Sequence, residues 1–117
     1  MSRKIANNDY KLAYDAARAA LENCSTAIVM MNDEMIRKAK IGDDTEIGGV
    51  PIVRDDSRCE LTVCAVGKNG KNIMLVYDRD WDAFRCAVND AVTLKDARFF
   101  KVAPQDVQDF LQQASVF

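Results

Sequence analysis

Residues 61–78, LTVCAVGKNGKNIMLVYD, decide the predicted fold, because they have the pattern of a β-hairpin. Two runs of apolar and β-branched residues flank a short polar segment, Lys68-Asn69-Gly70-Lys71. Asn and Gly tolerate the positive φ angles that the central positions of a two-residue turn require. We therefore expect a hairpin over residues 58–78, and we expect the rest of the chain to pack around it.

Pairing of Lys68 with Lys71 fixes the register of this hairpin and sorts its side chains between two faces. One face then carries Leu61, Val63, Ala65, Met74 and Val76, and the other carries Glu60, Thr62, Cys64, Val66, Ile73, Leu75 and Tyr77. The second strand is apolar on both faces, whereas a hairpin with one solvated face alternates apolar and polar residues. We expect both faces of this strand to be covered, by helices or by a partner chain.

A long N-terminal helix is predicted from residue 8 to about Lys40, with Asn8 or Asp9 as its cap. Apolar residues recur at alternating spacings of four and three, at Tyr10, Tyr14, Ala17, Leu21, Cys24, Ile28, Met31 and Met35. This spacing keeps one seam against a neighbour, which fits a dimerising coiled coil or a helix packed on its own sheet. We favour the second. A break at residues 24–26 would give two helices, and residues 28–31 also fit a buried strand.

The remaining segments complete an α+β pattern. Residues 41–57 are predicted to be a loop with one edge strand at 50–53, since Pro51 cannot donate to a central ladder. A second helix is predicted at 80–92, from apolar residues at helical spacing, and a further strand at 97–102. Pro104 suits the first position of a C-terminal helix at 104–114. We expect a single domain over residues 1–117, with a small mixed or antiparallel sheet.

Composition excludes several kinds of chemistry. The chain of 117 residues has no histidine, which removes the residue most used for acid–base catalysis near neutral pH. A net charge of −2 gives no field that favours nucleic acid or a membrane surface. No apolar run approaches the ~20 residues of a membrane span. The N-terminal segment lacks the apolar core of a signal peptide, so we expect a cytoplasmic protein with reduced thiols and no cofactor.

The four cysteines, Cys24, Cys59, Cys64 and Cys86, formally allow a zinc site. Structural zinc sites usually take cysteines in pairs two to four residues apart on a turn. Cys59 and Cys64 are five residues apart beside a strand, and the other two stand alone. We favour structural thiols that pack as small apolar side chains.

Asp78, Asp80 and Asp82 form the most suggestive carboxylate cluster, directly after an apolar strand. Carboxylates in that position hold divalent metal ions in many enzymes, so this cluster is a candidate metal site. The pattern departs from an EF-hand loop, because Ala83 stands where that loop needs Gly and Asn89 where it needs Glu. We favour carboxylates that cap a helix and complement its dipole.

The segment between residues 41 and 57 is the most acidic of the chain, with only Arg54 against its acids. Its candidate partner-binding residues are Asp43, Asp44, Glu46, Asp55 and Asp56. An acidic loop beside a sheet edge can present charge to a basic partner. We expect a small regulatory protein that acts through protein–protein contacts as a homodimer, of the compact inhibitor kind that viruses and mobile elements encode. The alternative is a small metal-dependent enzyme or ligand sensor that uses the Asp78, Asp80 and Asp82 cluster.

Overall fold

The computed structural model describes residues 2–39, 46–55, 60–89 and 100–115. Its elements are α1 (Ser2–Asn23), β1 (Cys24–Met31), α2 (Asp33–Lys38), β2 (Glu46–Ile47), β3 (Val50–Arg54), β4 (Leu61–Gly67), β5 (Asn72–Asp78), β6 (Ala83–Asn89), β7 (Phe100–Val102) and α3 (Val107–Ala114). The strands form one mixed sheet in the order β2-β3-β1-β4-β5-β6-β7. Helices with one such sheet confirm the predicted α+β class.

The predicted hairpin is present as β4 and β5, but its register differs from the prediction by one residue. Gly67 pairs with Lys71 through an N–H to O bond of 2.9 Å, so the loop has three residues rather than two. Gly70 closes this loop with φ of 85°, a conformation that favours glycine. Ala65 consequently faces Ile73 and not Met74. A slip of one residue moves every side chain of the second strand to the other face.

The predicted helix over residues 8–40 begins earlier than expected, at Ser2 rather than after an Asn8 or Asp9 cap, and the prediction is wrong beyond Asn23. The chain passes from α1 directly into β1, where Val29 and Met31 are buried and alternate with more exposed neighbours. A strand fits residues 24–31 because they contain β-branched residues and can pair with β3 on one side and β4 on the other. Helix resumes only in α2, where the Asn32 side chain accepts a hydrogen bond from the Met35 N–H.

Alanines, rather than the larger residues of the predicted seam, bury α1 against its own sheet. The buried residues of this helix among those whose side chains are described are Leu12, Ala13, Ala16, Ala17, Ala19 and Ala20. Tyr14 and Leu21, which the four-three spacing placed in the seam, are exposed. Small side chains let a helix approach a sheet closely, and this packing follows the favoured interpretation of α1.

The predicted helix at 80–92 is also wrong, since β6 occupies residues 83–89. Phe84 and Cys86 are buried and Arg85 is exposed, which is the alternation of a strand. This strand pairs with β5 along seven residue pairs, from Asn72–Asn89 to Asp78–Ala83. The same residues also satisfy helical spacing, so the partner strand and not the local pattern determines the structure.

The predicted loop at 41–57 contains a hairpin in its described part. Gly48 and Gly49, with φ of 58° and 80°, form the two-residue turn between β2 and β3. A Cβ at Gly48 would lie 3.2 Å from the Arg18 Cγ, so α1 packs closely on this turn. The strand predicted at 50–53 is present as β3, but the predicted edge position is wrong, because β3 lies between the two-residue β2 and β1, to which it runs parallel.

The C-terminal helix predicted at 104–114 is confirmed as a 3-10 turn, Pro104–Asp106, followed by α3. The β4–β5 turn holds the end of this helix. The Lys68 N–H donates to the Ser115 Oγ at 2.8 Å, and the Asn69 side-chain amide donates to the Ala114 carbonyl at 3.0 Å. These bonds satisfy groups that a helix end otherwise leaves without partners.

The helices cover one face of the sheet, which we call the closed face. It carries Ala27, Val29, Met31, Leu61, Val63, Ala65, Ile73, Leu75, Tyr77, Phe84 and Cys86, all buried. These residues form one core with the buried residues of α1, α2 and α3. The other face, which we call the open face, carries Ile28, Met30, Val53, Thr62, Cys64, Val66, Met74, Val76 and Ala87.

Candidate binding surface

The open face is largely apolar although no described helix packs on it; of its members, Thr62 and Ala87 are buried and the others keep part of their surface accessible. Ile28 and Val53 are 43% and 46% exposed, and Met30, Met74 and Val76 keep part of their surface accessible. An antiparallel sheet with one solvated face normally presents polar residues there. Contiguous exposed apolar surface of this kind marks sites of protein–protein contact.

The pairing of five neighbouring strands brings these side chains together. At the level of Cys64, the register aligns Ile28 on β1, Met74 on β5 and Ala87 on β6. Adjacent strands lie about 4.8 Å apart, so side chains at one level form a continuous row. The open face is therefore one surface and not a set of scattered residues.

Charged residues flank this apolar surface with opposite signs at its two edges. On β2, Glu46 pairs with Pro51 and shares the open face with Val53. On β6 and β7, Arg85 and Lys101 pair with each other and lie on the same face. One edge of the open face is thus acidic and the other basic.

Trp81, which the predicted helix at 80–92 would include, instead lies in the β5–β6 turn and extends the basic edge. It is 64% exposed, and the Lys101 Nζ lies 3.1 Å from its ring centroid. A cation over an indole ring is attracted by the ring's negative face. The contact holds Trp81 beside the sheet, where it presents a large aromatic surface to solvent.

The candidate acidic residues of the 41–57 segment are only partly described. Glu46 is exposed at the edge of the open face, and Asp55 is half-buried, with its N–H bonded to the Met31 carbonyl at 2.8 Å. Asp43, Asp44 and Asp56 lie outside the described residues. Of the five, the structure therefore places one, Glu46, on the candidate surface.

Asp78, Asp80 and Asp82 lie in and beside the β5–β6 turn, and two of the carboxylates bond within this hairpin. The Asp78 Oδ1 accepts the Asp80 N–H at 3.0 Å, and the Asp82 Oδ1 accepts the Tyr77 hydroxyl at 3.0 Å. Asp82 has φ of 45°, the left-handed conformation that ends a tight loop. Within the described ranges, no three His, Cys, Asp or Glu side chains come together as a metal site. In the described structure, Asp78, Asp80 and Asp82 are therefore not arranged as the ligands of a common metal ion.

The three described cysteines are free thiols of low reactivity. Burial raises the pKa of Cys86 to about 12, and it also raises the pKa of Cys64, which lies on the open face. Burial raises the pKa of Cys24 as well, although the positive charge of Lys68 acts in the opposite direction. The thiolate is the nucleophilic form, so these thiols are protonated and unreactive near neutral pH.

A cleft of about 590 Å³ lies on the helical side, between α1, α3 and the β5–β6 turn. Its apolar lining includes Leu12 and Phe84, and its charged residues are largely paired along α1. The Lys11 Nζ lies 3.5 Å from an Asp15 oxygen, and Arg18 lies 3.3 Å from Glu22. Such exposed i,i+4 pairs stabilise a helix modestly.

Ion pairs fix the end of the sheet where β4 begins and β5 ends. The Glu60 Oε2 lies 2.8 Å from an Arg79 nitrogen and 3.9 Å from the Lys38 Nζ. Lys38 also bonds to Glu34, and this hydrogen bond together with the lysine charge lowers the pKa of Glu34. The network joins α2 to the β4–β5 hairpin, so its role is to hold these elements together.

Comparisons with known proteins add no identity. Scans of protein-family models, curated proteins and solved structures each found no significant match to this chain. In the part of the chain that the structure describes, no helix has the length and apolar character needed to span a membrane.

The members of the open face are hard to recognise in the sequence for two reasons. The predicted helix over residues 8–40 includes Ile28 and Met30, and the predicted register, which is off by one residue, groups Met74 and Val76 with Leu61 and Val63. The useful signal was the apolar character of β5 on both faces, which does not depend on the register.

Proposed function

We propose that this chain is a non-enzymatic protein-binding module that contacts a protein partner through the open face. The observation that carries the proposal is the apolar row of Ile28, Met30, Met74 and Val76 on the face opposite the helices. Burying apolar area yields about 25 cal/mol per Å², so a partner that covered this row would gain affinity from it.

The core of the chain does not require these side chains to be apolar. The closed face already supplies a continuous core, in which Val29, Val63 and Leu75 are fully buried. On the opposite face, polar residues would be the ordinary choice for a sheet in contact with water. The apolar residues there consequently support a contact outside the described core.

The charged edges are expected to contribute more to the choice of partner than to the affinity for it. Rim charges chiefly change the rate of association and its dependence on salt. As part of the proposal, Glu46 presents an acidic edge to a basic group of the partner, and the rest of the acidic segment at 41–57 acts with it. We also place this function in the cytoplasm, a proposal supported by the free thiols of the three described cysteines.

Site-specific photocrosslinking in the native cell tests the proposal. A photoreactive aromatic amino acid replaces Ile28 on the open face or, as the matched control, Leu21, an exposed apolar residue of α1 that is 53% accessible. We expect protein adducts from position 28 and not from position 21. An absence of protein adducts at position 28, or equal adducts at both positions, would overturn the proposal.

A further inference from the structure

We infer that the partner of the open face is a second copy of this chain, related by a two-fold axis that runs parallel to β4. This inference rests on the proposed function and specifies its partner. A two-fold axis pairs the same patch on both copies, so the surface must be complementary to itself. The strand order and the edge charges together meet that condition.

The central strand of the sheet decides where the axis lies. With seven strands in the order β2-β3-β1-β4-β5-β6-β7, β4 has three strands on each side. Rotation about an axis along β4 places β1 over the partner's β5, and β2 over the partner's β7. All of the open face is then used, and no strand extends beyond the other copy.

The register then pairs apolar side chains across the interface. Because such a rotation preserves the level along the strands, Ile28 meets the partner's Met74, and Met30 meets the partner's Val76. Cys64 lies at the same level on β4 and faces its own copy. Two sheets that pack face to face lie about 10 Å apart, which leaves room for these side chains to interdigitate.

The edge charges favour this axis over one perpendicular to the strands. The parallel axis brings acidic Glu46 on β2 to the basic edge, formed by the partner's Lys101 and Arg85. The perpendicular axis would place β2 on β2 and bring like charges together. Along the strands, Lys101 lies two residues from the level of Glu46, an offset of about 7 Å that long side chains at a twisted interface can span.

The size of the face also fits a stable dimer. Seven strands spaced about 4.8 Å apart span about 29 Å, and six residues extend about 20 Å, so the face projects roughly 580 Å². Side chains and the rim around Trp81 raise the accessible area above the projected area. Each partner of a specific complex buries about 800 Å², which is of the same order.

Sedimentation velocity of the full chain is the first test. We expect a dimer at tens of micromolar, and a more than tenfold weaker dimer for Ile28→Glu. Leu21→Glu, the matched control on the helical side, keeps the dimer of the unaltered chain. Circular dichroism of both variants confirms that the fold remains. A monomer at tens of micromolar, or a dimer that Ile28→Glu leaves unchanged, would overturn the inference.

Charge exchange tests the direction of the axis. Glu46→Lys and Lys101→Glu each weaken the dimer roughly two- to fivefold at low salt, and the double variant restores it. Without that restoration, the parallel axis is wrong.

The two proposals fail in different ways. Adducts from position 28 to other proteins, in a chain that is monomeric by sedimentation, would overturn the second copy as partner while the open face remained a binding surface. An absence of any adduct at position 28 would overturn the binding function itself.

Discussion

The two faces of the sheet are built from the same strands and differ in what covers them. On β5, Leu75 is fully buried beneath the helices, whereas its neighbours Met74 and Val76 point the other way and remain partly exposed. All three residues are apolar, so polarity along this strand does not follow exposure. The fold of the described chain therefore does not explain why the open face is apolar, and we assign its apolar residues to a contact.

The largest expected difference in the free energy of unfolding is between truncation of a large side chain on the closed face and truncation of one on the open face. Phe84→Ala on the closed face removes a ring that is 1% exposed and packs 5.6 Å from the Tyr77 ring, between centroids. Such truncation costs about 3–5 kcal/mol of the free energy of unfolding. Met74→Ala on the open face costs about 1 kcal/mol or less at low protein concentration, because its side chain is already partly hydrated.

Urea unfolding at two protein concentrations measures both variants. If the open face binds a second copy, the loss of unfolding free energy caused by Met74→Ala grows with protein concentration. The loss caused by Phe84→Ala comes from packing within one chain, so it depends much less on protein concentration. A cost for Met74→Ala that equals the cost of Phe84→Ala at every concentration would show that the chain itself covers the open face.

The hairpin shows how far the sequence determines this fold. Its existence was predictable, because Asn69-Gly70 lies between two β-rich runs. Its register was not, because the same residues fit a two-residue turn and a three-residue loop that places Gly70 in the left-handed conformation. A polar face on β5 would have fixed the register, since a slip would then expose apolar residues. The apolar open face removes that constraint.

The segment at 80–92 shows the second limit. Phe84 and Val88 are four residues apart, as in a helix, yet Phe84, Cys86 and Val88 also alternate as in a strand. The periodicity of a short apolar segment does not distinguish a helix from a strand. Here the backbone pairing of residues 83–89 with β5 selects the strand. The same ambiguity at residues 28–31 hid Ile28 and Met30. The candidate surface consists largely of segments whose local patterns fit both a helix and a strand. The sequence therefore indicates that the sheet has more apolar residues than one core face needs, but it does not indicate which residues form the open face.

Cys86 on the closed face and Cys64 on the open face are expected to differ in how they couple stability to pH. The pKa of Cys86 rises to about 12 from the ordinary 9.0, so the unfolded chain ionises this thiol at a lower pH than the folded chain does. Stability from the protonated thiol is complete below pH 9 and is lost as the pH rises from 9 to about 12. Cys86→Ala lacks this loss, so its deficit relative to the unaltered chain shrinks over that range.

Urea unfolding at pH 8 and at higher pH measures this difference, with Cys64→Ala as the control on the open face. Burial raises the pKa of Cys64 too, but Cys64 is only partly buried in the sheet, so its variant shows a smaller dependence. A deficit for Cys86→Ala that stays constant up to the highest pH at which the chain still folds would contradict the assignment of Cys86 to the dry core.

The smallest expected effects lie in the β5–β6 turn, where the two faces meet. Asp82 turns its carboxylate toward the Tyr77 hydroxyl on the closed face, and Asp78 bonds the Asp80 N–H. Asp82→Ala loses a hydrogen bond and strains a residue at φ of 45°, which together cost about 2 kcal/mol. Asp82→Gly avoids the strain and costs less. Asp78→Ala costs about 0.5–1 kcal/mol, and Asp80→Ala costs close to 0 kcal/mol, because the bond at Asp80 uses its backbone N–H.

Thermal unfolding of these four variants, with and without millimolar magnesium or calcium, measures the order and tests the alternative function. We expect the order Asp82→Ala, Asp82→Gly, Asp78→Ala, Asp80→Ala and no stabilisation by either cation, because the carboxylates of Asp78 and Asp82 bond within their own hairpin. A ligand that binds the folded chain raises the melting temperature as its concentration exceeds its dissociation constant. A saturable rise that Asp80→Ala abolishes would restore the carboxylate cluster as a metal site, and it would move the function from the open face to this turn.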